Sequence, residues 1–199
     1  MCRLIESIKV INGRFENIYF HNQRFNNARA VLWNGTNEID LADVVAIPAN
    51  CSEGLYKCRI LYSAEIEKIE FLPYQLPAIH SLKLIHDDEI IYNYKYEDRS
   101  RITSLFNSRH PCDDILIEKN GCLTDTSFCN LVFYDGEKYY TPSTPLLNGT
   151  KRRQLLSEKK IFEKMIKTSD LHQFKSIFLV NAMIELKDNI CIDIADIHW

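Results

Sequence analysis

An α+β fold in two lobes is what this sequence predicts, and three observations carry the prediction. Alternating apolar and polar runs of strand length recur along the chain and are punctuated by Asn-Gly and Asp-Gly dipeptides, the strongest short hairpin signal. Helical spacing is confined to a few stretches, notably "HNQRFNNARAVLW" and the basic "TKRRQLLSEKK". The texture changes at the acidic segment "IHDDE", which reads as an exposed connector between a small α+β lobe, residues 1–88, and a larger β-rich lobe, residues 89–199. With 199 residues, 46% of them hydrophobic, and no internal repeat, the chain holds enough apolar material to bury a sizeable core.

In the first lobe "LIESIKVING" is expected as a strand closed by an Asn-Gly turn, with "RFENIYF" as its hairpin partner. "HNQRFNNARAVLW" follows as a helix with Phe25, Ala28 and Leu32 on its apolar face. A short helix near "EIDLADVVA" ends ahead of Pro48, and "GLYKCRILYS", "EIEKIEFLPY" and "SLKLIHD" read as three more antiparallel strands. The second lobe opens on "YNYKYEDRSRI", an aromatic run expected as a buried strand that gives way to the helix-like "DRSRITSLF". In "DDILIEKNGCLTDTSFCNLVFYDGEKYYTP" the pattern is strand, Asn-Gly turn, strand, Asp-Gly turn, strand. "STPLLNGTKRRQLLSEKKI" is then a turn into a basic helix, and "FKSIFLVNAMIELKDNICI" a strand pair.

Charge and composition exclude several function classes. A net charge of −3, from 24 Lys and Arg against 27 Asp and Glu scattered evenly, leaves no basic stripe for nucleic acid. No apolar run approaches the roughly 20 residues of a membrane span, and "MCRLIESIKV" lacks the apolar segment of a signal peptide, so no membrane partner is expected and the cytoplasm is the expected compartment. Seven cysteines without a CxxC pair or a His at zinc spacing predict reduced thiols, with neither a disulfide framework nor a metal site.

Four local features can carry chemistry. Lys95, an ammonium among tyrosines, is either a snorkelling side chain or a reactive amine. In "LLNGTKRRQLL" the turn at Asn148-Gly149 opens a helix whose first N–H groups, on Thr150 and Lys151, suit a phosphate; the plainer account is a helix start capped by Thr150. Asp125, in "LTDTSFCNL", can accept a hydrogen bond from a protonated ligand nitrogen or simply bond its own turn. His21 and Arg24 lie one helical turn apart, where an arginine can clamp a phosphate or lie on a solvated face.

Taken in order, these pieces resemble the class IV aminotransferase family, the fold type IV pyridoxal-phosphate (PLP) enzymes that include branched-chain and D-amino-acid aminotransferases and aminodeoxychorismate lyase. "ESIKVINGRFENIYFHNQR" is similar to the family's opening, Lys95 precedes Arg99 by four residues, and "LTDTSFCNLVFYDGEKYYTPSTPLLNGTKR" is similar to its T-E-x-S-x-x-N-I-F, D-G, T-P and G-x-x-R series. The resemblance implies the two-lobed architecture, shortened at its N-terminus, and PLP as cofactor. It implies that Lys95 bonds the cofactor and moves the substrate proton, with its amine made usable by Tyr92, Tyr94 and Tyr96. Arg24, with the amides of Thr150 and Lys151 beside Gly149, would hold the phosphate. Asp125 stands where the family keeps a Glu on the pyridine nitrogen. Asn181 and Ala182, in "FLVNAM", stand where many members place hydroxyl residues near the phosphate. The family implies a homodimer acting on a small-molecule amine. Because the chain starts almost at Glu6-Ser7, without the strands that help build an amino-acid carboxylate pocket, the expected reaction is conversion of 4-amino-4-deoxychorismate to 4-aminobenzoate and pyruvate. The alternatives are amino-acid transamination of the branched-chain or D-amino-acid type and a non-catalytic PLP-binding homologue.

Overall fold

A computed structural model describes residues 2–35 and 37–199. Their contacts divide them into two compact units: one extends to Leu76 and takes in Tyr94–Asp98, and the other comprises Pro77–Asn93 and Arg99–Trp199.

The first unit contains β1 (Leu4–Ile11), β2 (Arg14–Phe15), α1 (Ile18–Trp33), α2 (Leu41–Val44), β3 (Leu55–Tyr62) and β4 (Ile66–Pro73). The strands form an antiparallel sheet in the order β2-β1-β3-β4, with β1 and β3 in unbroken register from Leu4 opposite Tyr62 to Ile11 opposite Leu55. Asn12 and Gly13 both have positive φ (48° and 71°), as a tight hairpin turn demands. β2 is shorter than the sequence suggests: Asn17, at φ 57°, turns the chain into α1, and Ile18–Phe20 join the helix. The core of the unit gathers Leu4, Ile8 and Val10 of β1, Phe25 and Ala28 of α1, and Cys58, Ile60 and Tyr62 of β3.

Leu32, expected on the buried face of α1, is 37% exposed, and Arg29 is buried instead. Its guanidinium donates to the Ala64 carbonyl at 2.8 Å, the Asn37 carbonyl at 2.9 Å, Asn37 Oδ1 at 3.0 Å and Asn26 Oδ1 at 3.3 Å, and lies over the Phe25 ring. Glu65 Oε1 lies 3.8 Å from Nη2, so the buried cation has its donors met, an aromatic face beneath and an opposite charge nearby.

The segment expected as a buried aromatic strand is irregular, with a single bridge between Tyr96 and Leu4. The Ile5 N–H donates to the Lys95 carbonyl and the Glu97 N–H to the Arg3 carbonyl, both at 2.9 Å. These bonds to β1 place Lys95 in the first unit, although the lobe boundary read at 88/89 assigns it to the second.

The second unit contains β5 (Leu82–His86), α3 (Ser100–Asn107), β6 (Asp114–Lys119), β7 (Cys122–Thr126), β8 (Asn130–Tyr134), β9 (Tyr139–Pro142), α4 (Thr150–Ser157), β10 (Phe162–Lys164), β11 (Ser176–Val180), β12 (Cys191–Asp193) and β13 (Ile197–His198). The sheet order is β10-β9-β8-β7-β6-β5-β13, and β11 joins β8 to β12. "SLKLIHD" becomes β5, which pairs parallel with β6 and so belongs here, not with the antiparallel sheet of the first unit. A parallel pair needs a long crossover, which the stretch through α3 supplies. The run expected as one strand between the Asn-Gly and Asp-Gly turns is broken into β7 and β8 because Thr126 Oγ1 accepts from the Cys129 N–H at 3.0 Å and the Thr126 N–H donates to the Cys129 carbonyl at 2.9 Å. Leu82, Leu116, Leu123, Leu131, Phe133 and Ile177 centre the core.

Among the described residues no helix is long and apolar enough to cross a membrane. Replacing Arg29 by Leu is expected to strand the Ala64 and Asn37 carbonyls and to cost about 3 kcal/mol, read as a lower midpoint in urea denaturation.

Candidate functional site

In the first unit the candidate residues gather around a buried carboxylate. Glu6 is the polar member of the row Leu4, Glu6, Ile8 and Val10 that β1 directs into the core, and it is fully buried. His21 and Arg24, adjacent on α1 as their spacing requires, both reach it. His21 Nδ1 lies 2.6 Å from Oε2, while Arg24 donates Nε–H to Oε1 at 2.8 Å and Nη2–H to Oε2 at 2.6 Å. Burial alone would raise the Glu6 pKa; the charge of Arg24 and the bonds from His21 and Arg24 overcome it and hold the group at about 2. His21 is lowered, first by burial, then by the charges of Arg24 and Lys95, against the pull of Glu6. A neutral ring facing an ionised carboxylate carries its proton on Nδ1 and donates it. Lys95, half-buried, is tied to β1 through its carbonyl. Of the tyrosines expected to wall it, Tyr94 and Tyr96 pack on the core of the first unit, whereas Tyr92 packs against Ile90, Ile102, Ile115 and Ile117 of the second.

In the second unit the candidates gather around Asn130. Asp125, on β7, accepts from Asn130 Nδ2 at 2.7 Å through Oδ1 and from the Leu147 N–H at 2.9 Å through Oδ2. The same Nδ2 donates to the Leu147 carbonyl at 2.8 Å. Burial pushes the Asp125 carboxyl up to about 6, a rise that these bonds and the charge of Arg152 only partly offset. Gly149 is the N-cap of α4, so Thr150 starts the helix and does not cap it. A Cβ on Gly149 would lie 2.0 Å from Asn130 Oδ1. Thr150 and Lys151 are buried, and Lys151 Nζ donates to Gln154 Oε1 at 2.8 Å. Asn181 uses its side chain locally: Oδ1 accepts from the N–H groups of Met183 and Ile184 at 2.7 and 2.9 Å, and Nδ2 donates to Cys129 Sγ at 3.2 Å. Ala182 is half-buried and adds no polar side chain.

Arg152 is buried and locks α4 to its neighbours by donating to Thr141 Oγ1 at 3.2 Å, Asn148 Oδ1 at 3.0 Å, the Pro142 carbonyl at 2.9 Å and Glu163 Oε1 at 2.5 Å. The arginine of the G-x-x-R spacing is therefore a structural brace. Sequence reasoning missed this brace and the part played by Asn130, whose partner Leu147 is 17 residues away. Glu6 did leave a signal, a carboxylate at an inward position of an apolar strand.

These residues fit a phosphorylated pyridine. A carboxylate that is desolvated, held by neutral donors and raised to about 6 gains from a protonated ring nitrogen. A helix that starts on a buried glycine brings no capping side chain over its first-turn N–H groups, an arrangement that suits a phosphate.

The two carboxylates give opposite pH dependences. Glu6 titrates at about 2 in the folded chain against 4.5 when unperturbed, so its contribution, on the order of 3 kcal/mol, is full above about pH 4.5 and is lost as pH falls toward 2. Asp125 titrates at about 6 against 3.8, so its contribution is full below about pH 3.8 and is lost as pH rises through 6. Denaturant melts across this range are expected to lose the acid-side slope in Glu6→Gln, which is also less stable at neutral pH, and the slope between pH 4 and 6 in Asp125→Asn.

Residues 102–187 match the family Amino-transferase class IV. Over 185 residues the chain is 38% identical to an uncharacterized protein of Haemophilus influenzae, covering 92% of this chain and 98% of that one. A crystal structure from Haemophilus somnus 129PT, described as a candidate 4-amino-4-deoxychorismate lyase, superposes with a TM-score of 0.87 at 34% identity, over 93% of this chain and 98% of that one. The branched-chain amino acid aminotransferase of Escherichia coli shares the fold at 12% identity, with a TM-score of 0.71 over 98% of this chain and 76% of that one. The protein whose Glu6, Arg24 and Lys95 gather in one unit and whose Asp125, Asn130 and Gly149 gather in the other belongs to the class IV aminotransferase family and has the architecture of fold type IV PLP enzymes.

Proposed function

We propose that the chain is a PLP-dependent lyase that converts 4-amino-4-deoxychorismate to 4-aminobenzoate, a folate precursor, and pyruvate. The observation that carries the PLP reading is the desolvated Asp125 carboxylate, held only by neutral donors and a charge at a distance. The choice of lyase is supported by the likeness, nearly end to end, to the Haemophilus somnus structure. PLP, when bound, supplies an electron sink for the carbon next to the substrate amine.

Lys95 would be the residue that holds the cofactor through its Nζ, and the same amine would take the proton from the carbon that bears the substrate nitrogen. Asp125 would hold the proton on the pyridine nitrogen of the cofactor. Arg24, oriented by its two bonds to Glu6, would offer its other N–H groups to the phosphate; the main-chain amides of Thr150 and Lys151 at the start of α4 would offer theirs. His21, neutral and donating to Glu6, leaves that carboxylate paired and Arg24 charged. Asn181 and Ala182 would add main-chain groups near the phosphate. In the overall reaction the C–O bond between the substrate ring and its enolpyruvyl group would break, the C–H electron pair would become the new C=C bond that makes the substrate ring aromatic, and the abstracted proton would end on the released enolpyruvate to give pyruvate. The working form in this reading is a cytoplasmic homodimer that takes a small-molecule amine.

Purified protein incubated with PLP is expected to turn yellow, to bleach with borohydride, and to lose the colour in Lys95→Ala, with at least a thousandfold loss of turnover. With 4-amino-4-deoxychorismate generated in place, 4-aminobenzoate and pyruvate should appear in equal amounts. Turnover of branched-chain or D-amino acids with 2-oxoglutarate, and none of the aromatic product, would make the protein an aminotransferase.

A further inference from the structure

We infer that Asn130 is the positioning residue of the cofactor site, a single amide that orients the Asp125 carboxylate, pins the loop ahead of α4 and requires a glycine at position 149. The inference rests on the reading of the chain as a PLP enzyme.

Asn130 is the first residue of β8 and the one register partner of Asp125 between β7 and β8. Residues directly opposite in an antiparallel pair project to the same face, which brings the amide to the carboxylate. Nδ2 has two N–H groups, and both are used: one donates to Asp125 Oδ1 at 2.7 Å, the other to the Leu147 carbonyl at 2.8 Å. The Leu147 N–H returns to Asp125 Oδ2 at 2.9 Å and closes a ring of three hydrogen bonds. The opposite orientation of the amide would set its oxygen against two acceptors, so the bonding fixes which atom is which. Oδ1 is thereby turned toward Gly149, where a Cβ would meet it at 2.0 Å and Cγ at 3.2 Å.

Leu147 lies two residues before the glycine at the N-cap of α4. The ring therefore sets both where the carboxylate points and where the helix begins. Removing the amide leaves Asp125 one donor short in a buried setting and frees the loop at its carbonyl, while every group assigned to contact the cofactor stays in the chain.

The test uses PLP itself, titrated into the apo-protein and followed by fluorescence and by the absorption spectrum of the bound cofactor, alongside thermal melts. Asn130→Ala is expected to weaken PLP binding about tenfold to a hundredfold, the worth of a hydrogen bond to a charged group, and to shift the absorption maximum. Gly149→Ala alone should lower the melting temperature of the apo-protein; adding Asn130→Ala should restore it to the level of Asn130→Ala, with the spectrum still displaced. If Asn130→Ala fails to fold, Asn130→Ser carries the same spectral comparison. Wild-type affinity and spectrum in the Asn130 variant, in a protein whose wild type binds PLP, would overturn the positioning role alone, as would lost stability with an unchanged spectrum. A wild type that takes up no PLP would overturn the PLP reading and this inference with it.

Discussion

A charge taken out of water has to be met by an opposite charge or by a full set of hydrogen-bonding partners, and this requirement organises both units. Glu6, Arg29, Asp125 and Arg152 are all buried, and each is the centre of a network that joins elements distant in sequence. Glu6 ties β1 to α1, Arg29 ties α1 to the loops at Asn37 and Ala64, Asp125 ties β7 to β8 and to the loop at Leu147, and Arg152 ties α4 to β9 and β10. Apolar packing supplies the driving force for each core, but these networks specify which turn of each helix meets which strand.

The two carboxylates show how one residue class acquires two electrostatic characters. Glu6 has cationic Arg24 in bidentate contact, and that charge with the bonds from Arg24 and His21 outweighs the rise burial alone would give, so the carboxyl stays ionised to about pH 2. Asp125 has an amide and a main-chain N–H against it, with Arg152 acting only through its field, so burial prevails and the carboxyl rises to about 6. The first arrangement is complete within the chain and suits a scaffold that orients Arg24. The second is short of a cation, which is the electrostatic condition for holding one supplied by a ligand.

The two Asn-Gly hairpin turns were legible residue by residue. Asn12-Gly13 and Asn120-Gly121 have the positive φ values their sequence demands, because few other pairs adopt that turn without strain. What could not be read locally depended on partners far along the chain. β5 has the same alternation as β3 and β4, yet pairs parallel with β6, and alternation carries no information about a strand's neighbour. The aromatic run around Lys95 alternates as a strand should, but meets β1 at one bridge only, so its residues fall to two different cores. Leu32, expected on the buried face, is exposed while Arg29 is buried, because the loops at Asn37 and Ala64 supply carbonyls where the guanidinium lies, and helical periodicity knows nothing of loops.

For the site, the sequence by itself determined the family and the residue types: an amine at Lys95, a carboxylate at Asp125, a glycine before a helix at 149, and an arginine one turn from a histidine on α1. Each is a local chemical feature carried in order along the chain. Only the tertiary structure decided which of them are held by what. It gave Arg24 to Glu6, used the Asn181 side chain within its own turn, made Arg152 a brace, and placed the Asn130 amide between a carboxylate and a glycine. The physical reason is that a side chain's charge state and orientation are set by the partners that burial forces on it, and those partners come from elements that the sequence does not place side by side.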